Sequence, residues 1–191
     1  MMFMQVEKTT RKIISELQKS KISTEMKSLE VSEWIVFEKE DDEIVGAAGI
    51  GGMFHTSSIN ISKKFRGKGY GGKIQGKLVS EAKDRKYSFI TVFVDPRNES
   101  SVKMHDGLGY KTIFRIHYSD EIIQDVKIII FNFKGKMIRK ILSAFNTKIG
   151  ILFLACFLKI SQNLFKKIFA YDEIKVPVAN IKTIFTKFEK I

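Results

Sequence analysis

The sequence has a single cysteine, Cys156, so no disulfide can form within the chain. A disulfide-stapled secreted fold is excluded, and a reducing compartment, the cytoplasm, is expected. Cys156 sits in an apolar run and reads as a small core residue rather than a nucleophile. Long hydrophobic runs are lacking too. Ile149–Leu158 is the most apolar stretch, but Lys159 and Ser161-Gln162-Asn163 interrupt it before the roughly 20 residues that span a bilayer. Met1–Val6 is too short and too mixed for a signal peptide. Only three histidines occur, His55, His105 and His117. Neither they nor Cys156 have metal-ligand spacing, so no metal is expected. Internal repeats and low-complexity linkers are absent as well.

What is present suits one folded domain with an appended piece. The 191 residues are 44% hydrophobic and 12% aromatic, enough to bury a core. Charged residues make up 28%, which argues against global disorder. The net charge is +12, and it is unevenly placed. From Gly135 to Ile191 there are eleven Lys/Arg against three Asp/Glu, or +8 of the total. Such a surface favours anionic partners: a phosphorylated cofactor, nucleic acid or an acidic lipid surface. A lysine-rich solvated face accounts for it equally well, and nothing beyond charge points to nucleic acid.

The hydrophobic pattern alternates between strands and helices. Met1–Val6 reads as a strand, and Thr9–Lys19 as a helix with Ile13, Ile14 and Leu17 on one face. A short helical segment follows over Thr24–Leu29. Trp34–Glu38 and Ile44–Ile50 form a hairpin around the acidic turn Glu40–Glu43. That turn is read as solvated, the alternative being attraction of a cationic substrate. Gly51-Gly52 breaks the second strand, and His55–Ile61 forms the next. Gly71–Lys86 is a helix with Ile74, Leu78, Val79 and Ala82 inward. Phe89–Val94 is a compact strand of the buried parallel type, ended by Asp95-Pro96-Arg97. Ser100–Leu108 is a helix closed by Gly109. Lys111–Tyr118 and Val126–Phe133 make a final antiparallel pair. From Gly135 to Tyr171 apolar residues recur at three- and four-residue steps, a helical pattern. Pro177 punctuates it, and Val178–Ile191 reads as one more amphipathic helix.

The segment Phe65–Ile74 carries the chemistry. It fits three phosphate-binding patterns in part. As a P-loop, Gly67 and Gly72-Lys73 have the right spacing, but Ile74 stands where Ser or Thr would hold magnesium. As a dinucleotide fingerprint, Gly67, Gly69 and Gly72 fit, with Asp95 at the end of the next strand. There, however, the basic spacer Ser62–Arg66 separates strand from turn, and the upstream hairpin is wrong for a βαβ opening. The third pattern, Arg-x-x-Gly-x-Gly, is filled by Arg66, Gly69 and Gly71. Glycines let the backbone approach an anion, and amides at the start of the next helix then point at a pyrophosphate. Arg66 and Lys68 add positive charge, with Lys73 close behind.

With that loop, Ile59-Asn60-Ile61, Asn98-Glu99-Ser100-Ser101 and Gly107-Leu108-Gly109-Tyr110, the sequence resembles the GNAT superfamily of N-acetyltransferases. The likeness spans about Trp34 to Phe133, and the tail from Gly135 has no counterpart in the minimal family fold. The resemblance implies an α/β (α+β) fold with a mixed, mostly antiparallel central sheet flanked by helices. It implies acetyl-CoA as cosubstrate. Expected contacts are Ile59 and Ile61 with the pantetheine arm, Arg66, Gly67, Lys68, Gly69, Tyr70, Gly71 and Gly72 with the pyrophosphate, and Asn98 and Ser101 further on. It also implies a backbone donor from Ile61 for the oxyanion. Seven residues after Asn98, where the family often has a tyrosine that protonates the leaving thiolate, stands His105. An imidazolium can also donate a proton, so His105 is the expected acid, against the reading that it only packs beside the cofactor. His55 is the expected base: by strand alternation it shares a face with Ser57, Ile59 and Ile61. A surface histidine is the competing reading, and Glu33 and Glu38 are weaker alternatives.

The expectation is therefore an N-acetyltransferase domain over residues 1–134 and a basic, mainly helical extension over 135–191. It would transfer acetyl from acetyl-CoA to a primary amine on a small molecule or protein by direct attack in a ternary complex. The alternative is a coenzyme A-binding regulatory module with weak or no catalysis, whose basic tail contacts nucleic acid, lipid or a partner protein. For the tail, a helical cover on the core is favoured, then a homodimer interface, then a membrane-surface element.

Overall fold

The computed structural model describes residues 3–20, 22, 27–30, 32–117, 123–144, 147, 149–150 and 153. They fall into two compact units, one up to Lys86 and one from Tyr87. The remainder of the tail, with Cys156, most of Ile149–Leu158 and the expected helix Val178–Ile191, lies outside the described residues, as do Thr24–Met26 and Tyr118.

In the first unit, β1 (Phe3–Lys8), β2 (Trp34–Glu40), β3 (Glu43–Gly51) and β4 (Thr56–Ile61) pair in sequence order, each antiparallel to the next. The two aspartates between β2 and β3, Asp41 and Asp42, both have positive φ, as a tight two-residue hairpin requires. Helix α1 (Arg11–Lys19) is capped by Thr10, whose hydroxyl accepts the Ile13 N–H at 3.4 Å. Its buried residues Ile13 and Leu17 join Ile22, Leu29, Ile35, Phe37, Ile44 and Ala47 in one apolar cluster. Leu29 comes from the short helix α2 (Lys27–Glu30). Each Ile, Leu or Phe in that cluster, fully buried, contributes about 1.5–3 kcal/mol relative to exposure. The opposite face of β2 meets α3 (Tyr70–Asp84), where the Arg85 guanidinium just past the helix lies over the Trp34 ring.

Helix α3 buries Ile74, Leu78 and Ala82, one residue per turn as its periodicity predicts. Val79 is only half-buried, and the inward place beside Ile74 goes to Gln75. That polar residue is tolerable inside because its amide donates to the Ser57 hydroxyl of β4 at 3.0 Å. Between β2 and β3 the register slips after Glu38, so that Glu38 faces Gly46 and Lys39 faces Ile44. Val45 is the extra residue, a bulge that bends the hairpin.

In the second unit, β5 (Phe89–Val94), β6 (Lys111–His117) and β7 (Ile123–Ile130) pair with β7 in the middle, both contacts antiparallel. Helix α4 (Glu99–Gly107) is capped by Asn98, whose side chain accepts the Ser101 N–H at 3.1 Å. Phe133 opens α5 (Phe133–Ala144) rather than closing β7. Gly135 lies where α5 meets the Ser88 carbonyl too closely for any Cβ. The pattern is that expected from the sequence: mostly antiparallel strands flanked by helices.

Candidate functional site

The glycine loop leaves β4 at Ile61 and enters α3 at Tyr70. Ser62 donates its N–H to the Val45 carbonyl at 2.9 Å, which makes Ser62 and Val45 a hydrogen-bonded antiparallel pair. By alternation Asn60 is bonded to β3, whereas the N–H and C=O of Ile59 and Ile61 point away from it. The Ile61 carbonyl accepts the Arg66 Nε–H at 3.1 Å, which holds that side chain beside the strand end. A short turn, Lys63–Phe65, buries Phe65 against Val45 and Tyr70.

Gly67 and Gly69 then take φ of +76° and +82°, and Gly69 is the N-cap of α3. A side chain is strained in that conformation, yet a Cβ at either position would meet nothing within 4 Å. The turn is thus open around both glycines, and Arg66 and Lys68 are exposed beside it. This arrangement attracts an anion through unbonded amides, the helix dipole and two cations together.

The loop is anchored from beneath by the β2–β3 hairpin. Tyr70 turns inward, packs edge-on against Phe65 at 5.8 Å between ring centroids, and donates its hydroxyl to Glu40 Oε2 at 2.9 Å. Lys64 pairs with Glu43 at 2.6 Å. The acidic turn is exposed at Asp41, Asp42 and Glu43, and its two glutamates, Glu40 and Glu43, also hold the loop. Hydrogen bonding to Glu40, then burial, raises the Tyr70 hydroxyl above its usual range. Glu38 is a further acid in this unit, 2% exposed, with Oε2 unpartnered in the structure. Burial raises its carboxyl, opposed by the positive charge of Lys73.

His55 does not stand on β4. The strand begins at Thr56, and His55 ends the preceding turn with φ of +47°, its N–H on the Gly52 carbonyl at 3.0 Å. The left-handed backbone stops the alternation that would have aligned it with Ser57, Ile59 and Ile61. It lies at the other end of β4 from the loop. Burial lowers its imidazole, and the Glu33 carboxylate partly offsets that.

Asn98, Ser101 and His105 come together in the second unit. The Asn98 side-chain oxygen is committed to the cap of α4, leaving its amide as the donor it can offer. His105 is 1% exposed. Its Nδ1 lies 2.8 Å from the Ser101 carbonyl, so that nitrogen carries the proton, and its ring meets Tyr110 edge-on at 5.3 Å. Nε2 is buried without a partner in the structure. Burial pushes the imidazole down, and the Lys127 ammonium adds to this. A neutral ring whose one proton is held by a carbonyl does not match the imidazolium donor expected from the sequence. Among the described residues no cluster of His, Cys, Asp or Glu could hold a metal ion.

Comparison with known proteins follows the same lines. The sequence model of the acetyltransferase (GNAT) family matches residues 7–110. No curated protein sequence matches the chain. Among solved structures, an N-acetyltransferase from Staphylococcus aureus Mu50 superposes with a TM-score of 0.53 at 16% identity, covering 68% of this chain and 99% of that one. The protein yncA from Salmonella typhimurium, solved with its cofactor acetyl-CoA, gives 0.55 at 12% identity, covering 68% and 95%. A GNAT-family acetyltransferase from Streptococcus pneumoniae gives 0.56 at 12% identity, covering 68% and 100%. At these identities the likeness is one of fold.

Proposed function

Because the chain belongs to the acetyltransferase (GNAT) family, we propose that it transfers an acetyl group from acetyl-CoA to a primary amine by direct attack in a ternary complex. One observation carries the reading: the left-handed pair Gly67 and Gly69, with open space where their side chains would lie, leads directly into the N-terminus of α3. The pyrophosphate of coenzyme A is assigned to that space, with Arg66 and Lys68 as its cations, Tyr70, Gly71 and Gly72 forming the turn beneath it, and Ile59 and Ile61 along the pantetheine arm. Asn98 and Ser101 are the coenzyme A ligands proposed in the second unit. The acetyl-CoA held by the Salmonella neighbour supports this donor.

In the proposed reaction the amine nitrogen bonds to the thioester carbon, the carbon–sulfur bond breaks, and the proton shed by nitrogen goes to the departing thiolate. The Ile61 N–H, directed away from β3, is the proposed oxyanion donor. A free amine has a pKa of about 10, so deprotonating it at neutral pH costs about 4 kcal/mol. His55, six residues from Ile61 at the far end of β4, lies too far from the proposed oxyanion donor to take the amine's proton, so its expected role as base is not kept. His105 is given no proton to donate, since its own sits on the Ser101 carbonyl. The catalytic domain is taken as residues 1–134, with 135–191 as its extension.

That buried, neutral His105 also favours a second reading, a coenzyme A-binding module without strong catalysis. Thiol release from acetyl-CoA across a panel of primary amines separates the two. Amine-dependent release supports the enzyme. Tight coenzyme A binding with no release above hydrolysis, for any amine, supports the module.

A further inference from the structure

Helix α5 lies on β6 and β7. It turns Gly135 and Leu142 inward, with Ile138 half-buried between them. Its outer side is not polar. Phe133 is 73% exposed, Met137 51% and Ile141 53%. Spaced by four, they form one stripe within about 80° of arc on a helix of 3.6 residues per turn. Lys134 borders the stripe on one side, and Lys140 and Lys136 border it on the other, all exposed. The helix contains no acid. Ile149 and Phe153, beyond its end, are exposed as well.

The charge pattern limits what can cover this face. Between Asp125 and Asp172 the sequence has no Asp or Glu and nine Lys or Arg. A second copy laid on α5 would bring lysine against lysine. The chain's own segment after Phe153 is also net basic and repels the same face. An acceptable partner must offer negative charge at the edges and an apolar interior in the middle. An anionic bilayer surface supplies both, since lysines snorkel to headgroups while the stripe enters the acyl boundary. Helix α5 is apolar on one stripe and basic on both sides of it, so the contact is one of lying on the surface.

We propose that α5 is a membrane-surface element, with Phe133, Met137 and Ile141 entering an anionic leaflet and Lys134, Lys136 and Lys140 meeting its headgroups. The inner side of α5 covers β6 and β7, and the membrane reading concerns its outer side alone. The inference does not depend on the acetyl-transfer reading.

The test is flotation of the full chain with vesicles of phosphatidylcholine alone or with phosphatidylglycerol added, at low and high salt. Binding is expected only with phosphatidylglycerol, and weaker at high salt. Replacing Lys134, Lys136 and Lys140 by Gln is expected to lower partitioning by about a hundredfold, since each lysine near such a surface contributes about fivefold. Met137→Ser with Ile141→Ser is expected to abolish binding while the melting temperature holds, both positions being exposed. Equal binding to both vesicle types, or none to either, overturns the proposal. So does a dimer by light scattering, or amide-exchange protection of the stripe without vesicles, that Met137→Ser removes.

Discussion

Gly69→Ala separates the loop's structural role from its binding role. Gly69 has φ of +82° at the N-cap of α3, and its missing Cβ would touch nothing within 4 Å. The folded protein therefore loses only backbone energy, about 1–2 kcal/mol for a left-handed non-glycine residue. In a chain of this size each kcal/mol lowers the melting temperature by roughly 2–4 °C. Binding should suffer more. The new methyl occupies the space assigned to the pyrophosphate and pushes it off the α3 amides. A hydrogen bond to a charged group is worth about 1.5–3 kcal/mol, so the Kd for coenzyme A should rise roughly 10- to 100-fold. Calorimetric titration with coenzyme A, beside a melt of the free protein, reads both effects. A melting temperature lowered as expected with an unchanged Kd would refute the assignment of the pyrophosphate to this turn.

Three further outcomes follow from the same geometry. Tyr70→Phe removes the bond to Glu40 but keeps the ring on Phe65. Steady-state kinetics should give a severalfold higher KM for acetyl-CoA with kcat unchanged, and a fall in kcat alone would contradict the anchoring role. Glu38 has a raised carboxyl, so its stabilising effect is fullest below the ordinary glutamate value and is lost as pH rises through the raised one. In urea denaturation Glu38→Gln should thus be more stable than wild type at neutral pH, with the gap closing toward acid; a less stable variant at neutral pH would mean that Lys73 compensates the charge. His105 has a lowered imidazole, so wild type should lose stability relative to His105→Phe as pH falls below 6.5, and a pH-independent difference would show that the ring is not buried neutral.

The elements were legible where periodicity is strong and local. Ile13 and Leu17 in α1 and Ile74, Leu78 and Ala82 in α3 lie as their spacing predicts, and β5 is buried as read, although it pairs antiparallel with β7 rather than as a parallel-type strand. The glycine loop was legible because backbone geometry selects its residues directly. Long-range polar contacts were not. Glu40 meets Tyr70 and Glu43 meets Lys64 across 30 and 21 residues, and the bulge at Val45 that bends the hairpin has no local signature. The inward Gln75 breaks the apolar stripe of its helix and is explained only by Ser57 on a different element. His55 was misplaced because alternation was carried one residue past the end of β4 into a left-handed turn. Within the helical pattern after Gly135, Leu142 is buried while Ile141 is exposed, because periodicity reveals that a face exists, not which way it points.

The most direct test of the central claim compares acetyl-CoA with acetylpantetheine as donors to the same amine. The thioester is identical, and only the former carries the pyrophosphate. If the turn at Gly67–Gly71 holds that group, kcat/KM should be far higher for acetyl-CoA, and free coenzyme A should inhibit while pantetheine does not. Equal kcat/KM for the two donors, or amine acetylation from neither, would contradict the account.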